Sequence, residues 1–170
     1  MMGVSHRTIG AATGFSFAML ETGNHLLSYP VFGIGCTVLG AIGALAPDLD
    51  HANSTATKHV GIVARIFSSF VTHRGMTHSI LAVYLLYLVS THMPYSMVTM
   101  AFIAGYVSHI IADIPFGGVS LFWPIKTRIG FGLFKTGGLS EKIVAPILTS
   151  GILIYPVHQN ILKMIMRMTS

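Results

Sequence analysis

The stretch His73–Ser79 reads HRGMTHS, and it lies where a polar part of the sequence runs into an apolar one. It places two histidines and an arginine close together in a chain in which only 9% of the residues are charged. Two further stretches carry the same chemistry, namely PDLDH at Pro47–His51 and SHIIAD at Ser108–Asp113. We hypothesise that the three stretches meet in space and hold metal.

The composition of the remaining chain is typical of a membrane protein. Hydrophobic residues make up 52% of the 170 residues, and the charged fraction is far below the roughly 25% of a soluble domain. There are too few polar side chains to cover a soluble surface. The length suits one domain, residues 1–170. The single cysteine, Cys36, excludes a disulfide framework, and we expect no cleaved signal peptide.

Apolar segments separated by polar connections predict an all-α fold. A helix that spans a bilayer needs roughly 20 apolar residues; the second, fourth and fifth segments meet this, whereas the first and third are short. The sequence therefore predicts a polytopic membrane bundle of four to five transmembrane helices, with residues 60–71 and 121–134 as interfacial segments. The apolar segments are Thr8–Leu20, Tyr29–Ala46, His78–Thr91, Tyr95–Ala112 and Ile143–Leu162.

The alternation of helices constrains where the three motifs lie. If all the segments cross, the N-terminus and the connections 47–77 and 114–142 share one side of the membrane. The positive-inside rule predicts that this side is cytoplasmic, because the opposite side carries only Lys163 and Arg167. The cations on the motif side are Arg7, Lys58, Arg65, Arg74, Lys126, Arg128, Lys135 and Lys142.

The motif residues are of the types that bind divalent metal ions. His109 and Asp113 are four residues apart, which places them on one face of a helix, where an imidazole and a carboxylate can ligate one ion. Asp48 and Asp50 follow a helix-ending proline, and two like charges so close together would repel each other without a cation. The candidate metal ligands are His6, Asp48, Asp50, His73, His78, His109 and Asp113.

Each motif also has a simpler interpretation. His109 could be a histidine held by the neighbouring Asp113, the acids after Pro47 could be solvated in a loop, and Arg74 could contact lipid headgroups. Against this, ionisable residues near membrane helices are usually functional. The planar fork of Arg74 also suits a phosphate or a developing oxyanion.

As a set, the motifs resemble the YdjM-like family of bacterial inner-membrane proteins, which are classed as metal-dependent hydrolases and of which some are LexA-regulated, as in the SOS response. The resemblance covers about residues 2–126. A more distant similarity is to the zinc-dependent phospholipase C and P1 nuclease group, whose H-x-x-x-D pair His109 and Asp113 resemble; a second such pair is not evident, which implies one or two metal ions. The matching stretches are MGVSH, APDLDH, HRGMTHS, GYVSHIIAD and GVSLFWP.

These observations predict a multi-pass hydrolase of the inner membrane that uses a divalent metal, Zn²⁺ or alternatively Mn²⁺, to activate water. The expected substrate is a phosphoester in a phospholipid or lipid-linked molecule; an amide or a carboxylic ester stays open, and no nucleic-acid partner is expected. Asp48 or Asp50 would accept a proton and Arg74 would neutralise phosphoryl charge. The alternative is a non-catalytic metal-binding membrane protein with a structural, regulatory or ion-carrying role.

Overall fold

The computed structural model describes residues 1–50, 75–93, 96–125 and 127–169, and within these ranges the chain is helical, with no strand. An isolated antiparallel backbone pairing joins Val119 and Ile129. Short 3-10 turns cover Gly23–Ser28, Pro47–Asp50 and Met76–His78. The prediction of an all-α fold is confirmed. The helices are α1 (Gly3–Thr22), α2 (Pro30–Gly43), α3 (Ile80–Thr91), α4 (Ser96–Asp113) and α5 (Leu139–Thr169).

The helices follow the apolar segments of the sequence, but they do not support the predicted transmembrane helices. In the described parts of the chain, no helix combines the length and the apolar character that crossing a membrane requires. The expectation of four to five spanning helices is therefore not met by these elements. Two of them are simply short, since α2 has 14 residues and α3 has 12, against the roughly 20 that a bilayer needs.

The centre of the bundle is formed by helices that touch backbone to backbone. α1 packs against α2, α4 and α5, and α4 packs against α2 and α3. A Cβ atom on Gly105 of α4 would lie 2.0 Å from the carbonyl oxygen of Gly40 on α2, and one on Gly14 of α1 would lie 2.0 Å from that of Cys36. Small residues permit this close approach of the backbones.

One end of the bundle collects four separate parts of the chain. The start of α1 and the end of α4 meet there, and the Pro47–Asp50 turn contacts both α4 and the Met76–His78 turn. The hydroxyl of Ser79 accepts a hydrogen bond from the Ala82 amide at 3.2 Å. It thereby caps α3 in the usual manner of an N-cap serine. This end contains the candidate metal ligands whose side chains the structure describes: His6, Asp48, His78, His109 and Asp113.

We predict that Gly105→Ala destabilises the protein by at least about 1–3 kcal/mol, because the new methyl group forces a shift of the α2 backbone. Thermal unfolding of detergent-solubilised protein measures the effect. Gly151→Ala is the matched control: no atom lies within 4 Å of its Cβ position, and alanine is the better helix former. Equal stability of Gly105→Ala and the parent would contradict the observed α2–α4 crossing.

Candidate metal centre

Three imidazoles and two carboxylates meet at this end of the bundle. His6 comes from the second turn of α1, Asp48 from the turn after α2, and His78 from the turn before α3. His109 and Asp113 come from the end of α4. The exposed fraction is 0% for His78 and His109, 1% for His6 and 2% for Asp113. Burying so many ionisable groups is costly unless their charges and hydrogen bonds are satisfied.

The nitrogen and oxygen atoms of this cluster face one another at short range. The Nε2 atoms of His78 and His109 are 3.2 Å apart, and His6 Nε2 lies 3.1 Å from Asp113 Oδ1. His109 Nε2 is 3.8 Å from both Asp48 Oδ1 and Asp113 Oδ2. Neighbouring ligands of a tetrahedral zinc ion with bonds of about 2.0–2.1 Å are about 3.3 Å apart. The spacing of the donor atoms therefore fits a shared metal ion.

His109 is oriented by a contact behind it. Its Nδ1 atom lies 2.6 Å from the carbonyl oxygen of Ala44. Because a carbonyl oxygen only accepts hydrogen bonds, Nδ1 must carry the proton, and the lone pair of the neutral ring is on Nε2. The ring of His6 stacks on that of His109 with 3.7 Å between centroids. In metal-binding histidines, the ring nitrogen that does not bind the metal commonly donates a hydrogen bond to a carbonyl oxygen, as Nδ1 of His109 does here.

His78 is supported by α4 through its neighbour in the chain. The Thr77 hydroxyl lies 3.1 Å from His78 Nδ1, and the Tyr106 hydroxyl donates a hydrogen bond to the Thr77 carbonyl. Both contacts are buried. The turn that carries His78 is thus fixed to the same helix that carries His109.

The electrostatics of the cluster favour a cation. Burial raises the pKa of the Asp48 carboxyl above its ordinary value; proximity to His6 and His78 opposes this rise, and the Asp113 carboxylate adds to it. Two carboxylates so close together repel each other, and a positive ion between them relieves the repulsion. Asp113 also contacts the amino group of Met1. Among the described residues, His6 Nδ1 is a buried polar atom without a hydrogen-bond partner.

Two overlapping ligand sets can be drawn within the described residues. One contains His6, Asp48 and His109, and the other contains His78, His109 and Asp113. In each set the donor atoms lie within 4.8 Å of one another. Both sets need the same Nε2 atom of His109, whose other nitrogen is occupied by Ala44. His109 can therefore serve one ion, and the two sets describe overlapping halves of one centre.

The structure brings together five of the predicted metal ligands. For Asp50 it describes only the backbone, at the end of the Pro47–Asp50 turn. His73 and Arg74 lie outside the described residues, as does His51. Three further histidines are exposed and belong to neither ligand set: His25, His92 and His158.

Sequence reasoning missed the groups that orient the imidazoles. The Ala44 carbonyl is a backbone group that every residue type has, so the sequence does not show that it orients His109. Tyr106 lies three residues before His109, so it shares a helix face with that histidine. That spacing is the one signal from which its supporting role could have been inferred.

The fold and the site together define a class: an all-helical protein with a candidate metal centre at one end of its bundle. The chain belongs to the YdjM inner membrane protein family, whose family model matches residues 1–167. The resemblance to this family inferred from the motifs is therefore confirmed. The hydrolase activity and the distant similarity to the phospholipase C and P1 nuclease group are not shown by this match.

Individual relatives point to the same family. The chain is 34% identical over 113 residues to "Uncharacterized protein YvsG" of Bacillus subtilis (strain 168), covering 65% of this chain and 71% of that protein. It is 35% identical over 91 residues to "Inner membrane protein YdjM" of Escherichia coli (strain K12), covering 49% of this chain and 46% of that protein. The chain thus spans less than half the length of the E. coli relative. No solved structure matches it significantly.

We predict that Tyr106→Phe lowers stability by about 0.5–1.5 kcal/mol, the usual net contribution of a hydrogen bond, because it removes the contact to the Thr77 carbonyl. Thermal or denaturant unfolding measures this. Tyr84→Phe removes the same atom from an exposed side chain of α3 and should change stability by less than about 0.5 kcal/mol. If both variants were equally stable, Tyr106 would not fix the turn that carries His78.

Proposed function

We propose that this protein is a membrane-bound, metal-dependent hydrolase that cleaves a phosphoester in a phospholipid or a lipid-linked substrate. The observation that carries the proposal is the buried cluster in which donor atoms of His6, His78, His109 and Asp113 approach one another to 3.1–3.8 Å. Such a concentration of imidazole and carboxylate groups in a chain with five acidic residues is characteristic of a functional site.

The ligand set favours a particular kind of ion. Imidazole and carboxylate ligands together suit Zn²⁺ and Mn²⁺, and a divalent ion of this kind, when bound, acts as a Lewis acid and lowers the pKa of a coordinated water to about 7. The residues that would hold it are His6, Asp48, His78, His109 and Asp113.

Asp48 is the described carboxylate best placed to move a proton. Its side chain is 21% exposed, against 3% for Asp113, so it can meet both water and a substrate. Burial raises the pKa of Asp48. A general base works best when its pKa is near the operating pH, and the raised pKa shifts Asp48 in that direction. Asp50 stays a second candidate for this role. Arg74 would neutralise the charge that develops on the phosphoryl oxygens.

Exposed apolar side chains on the outer surface of the bundle support the proposal that the substrate is a lipid. Val31 is 82% exposed and Ile34 65%, and Val38 and Ile42 are both 50% exposed; together they form an apolar face of α2. Contiguous exposed apolar surface is characteristic of contact with a membrane or a partner, and the family is one of inner membrane proteins. The cytoplasmic orientation stays an expectation from the distribution of cations.

An apolar groove is lined by residues that neighbour the cluster in the sequence. It has a volume of about 910 Å³ and runs between α1, α4 and α5. Ile111 and Ala112, which lie between His109 and Asp113 in the sequence, form part of its wall. A groove of this kind suits the acyl chains of a lipid whose headgroup reaches the metal centre.

The depth of the cluster favours a second candidate function. His78 and His109 are completely buried and His6 is 1% exposed. Structural metal sites are closed in this way, whereas catalytic sites keep a position open for water or substrate. The alternative is therefore a membrane protein in which the metal has a structural or regulatory role.

We predict that gently purified protein contains zinc or manganese in roughly stoichiometric amount, measured by elemental analysis. His109→Ala and Asp113→Ala should lose the metal, because each removes a ligand atom. His158→Ala is the matched control, since His158 is exposed on α5 and should leave the metal content unchanged. A parent protein that holds no metal and takes up none on reconstitution would refute the proposed centre.

We predict that Arg74→Ala keeps the metal but lowers the release of phosphate-bearing headgroup by about 10²–10³-fold, the usual cost of losing one transition-state donor. The assay uses a panel of phospholipids and lipid pyrophosphates with detergent-solubilised protein. Arg167→Ala, at the exposed end of α5, is the matched control and should retain activity. Loss of metal from Arg74→Ala would make the arginine structural. A metal-loaded parent inactive on every substrate would favour the structural alternative.

A further inference from the structure

Glu141 is a completely buried carboxylate outside the metal centre. Its Oε1 atom accepts hydrogen bonds from the Met2 amide at 2.7 Å and from the Ser5 hydroxyl at 2.6 Å. Its Oε2 atom accepts one from the Gly137 amide at 2.7 Å. Burial raises the pKa of Glu141, but these three hydrogen bonds and the nearby amino group of Met1 together hold the pKa below its ordinary value. The side chain is therefore a fixed, charged acceptor.

These hydrogen bonds cap two helices at once. Met2 precedes α1 and provides no side-chain cap, and the first turn of α1 contains no acidic residue. In a capping box, a glutamate in the first turn reaches back to the amide of the capping residue; here α5 provides that glutamate to α1. Glu141 also lies in the first turn of its own helix, where it accepts from Gly137. One carboxylate thus joins the starts of α1 and α5.

The capped turn leads directly to His6. Ser5 is the residue before it, and the His6 amide donates to the Met2 carbonyl at 3.1 Å. Glu141 therefore holds the Met2 amide while the Met2 carbonyl holds the backbone of His6. The His6 ring in turn lies 3.1 Å from Asp113 and stacks on His109.

We propose that Glu141 is a positioning residue: by joining the starts of α1 and α5, it holds the His6 imidazole against Asp113 and His109. Its importance for metal binding rests on the proposed function, but its effect on the position of His6 does not. The described hydrogen bonds of the carboxylate go to Met2, Ser5 and Gly137 and not to a metal-ligating atom, so it acts through the first turn of α1.

The first measurement needs no metal. Metal-free, detergent-solubilised full-length parent, Glu141→Gln and Glu141→Ala are treated with diethylpyrocarbonate, and modification of each histidine is followed by mass spectrometry. His6 should be protected in the parent and react about 10- to 100-fold faster in Glu141→Ala, in line with the loss of charge-assisted hydrogen bonds. Glu141→Gln keeps one carbonyl acceptor and should be intermediate. The matched controls, Glu21→Gln and Glu21→Ala, change an exposed carboxylate at the far end of α1 and should react like the parent.

His78 separates positioning from general unfolding. It is as buried as His6 but is carried by a turn that α4 supports. If Glu141 positions His6, then Glu141→Ala increases the rate of diethylpyrocarbonate modification much more at His6 than at His78. Equal acceleration of both histidines would show a global loss of structure, and no acceleration of either would show that Glu141 does not position His6. Both results overturn the proposal.

The second measurement connects Glu141 to the metal. Glu141→Ala should weaken Zn²⁺ affinity by about 10- to 100-fold, as the loss of groups that orient a ligand does. In a His6→Ala background, the same change should have little further effect, because residues that act through one another are not additive. Additive effects would overturn the proposal. If the parent bound no Zn²⁺ while His6 protection still depended on Glu141, the metal centre would fail and the positioning role would stand.

Discussion

The arrangement of the site depends on the close approach of α2 and α4. A Cβ atom at Gly105 would lie 2.0 Å from the Gly40 carbonyl oxygen, so the two backbones are in contact. Ala44, which directly follows α2, and His109 on α4 each lie four residues beyond one of these glycines. The contact brings the Ala44 carbonyl within 2.6 Å of His109 Nδ1, which leaves Nε2 available to the cluster. A packing constraint in the middle of the bundle thus determines the chemistry at its end.

Much of this organisation could be predicted from the sequence, because it depends on local sequence patterns. Apolar segments predicted the helices, and the spacing of His109 and Asp113 predicted a shared helix face. The ends of the helices were harder to predict, because hydropathy shows only how apolar a segment is. The apolar segment Tyr29–Ala46, for example, continues beyond the end of α2 at Gly43. The bond between Glu141 and the Met2 amide joins residues 139 apart in sequence. The periodicity of a helix does not relate residues so far apart in the sequence, so this contact could not be predicted.

The balance between burial and access decides what the cluster can do. A buried cluster with satisfied charges is rigid, and rigidity suits both a structural ion and a preorganised reaction centre. Asp48 differs from the others because its side chain is 21% exposed and it is carried by a turn instead of a long helix. Among the described residues of the cluster, Asp48 therefore has the side chain that is most accessible to water.

The assembly of the cluster from four parts of the chain has a consequence for biosynthesis. His6 and Asp113 are 107 residues apart in sequence, and ribosomes add about 5–20 residues per second. Their side chains therefore become available to each other several seconds apart during translation. Throughout that interval the nascent chain carries the His6 imidazole without Asp113, its hydrogen-bond partner. Maturation of the centre is consequently a late event, which follows the docking of the fourth helix against the first.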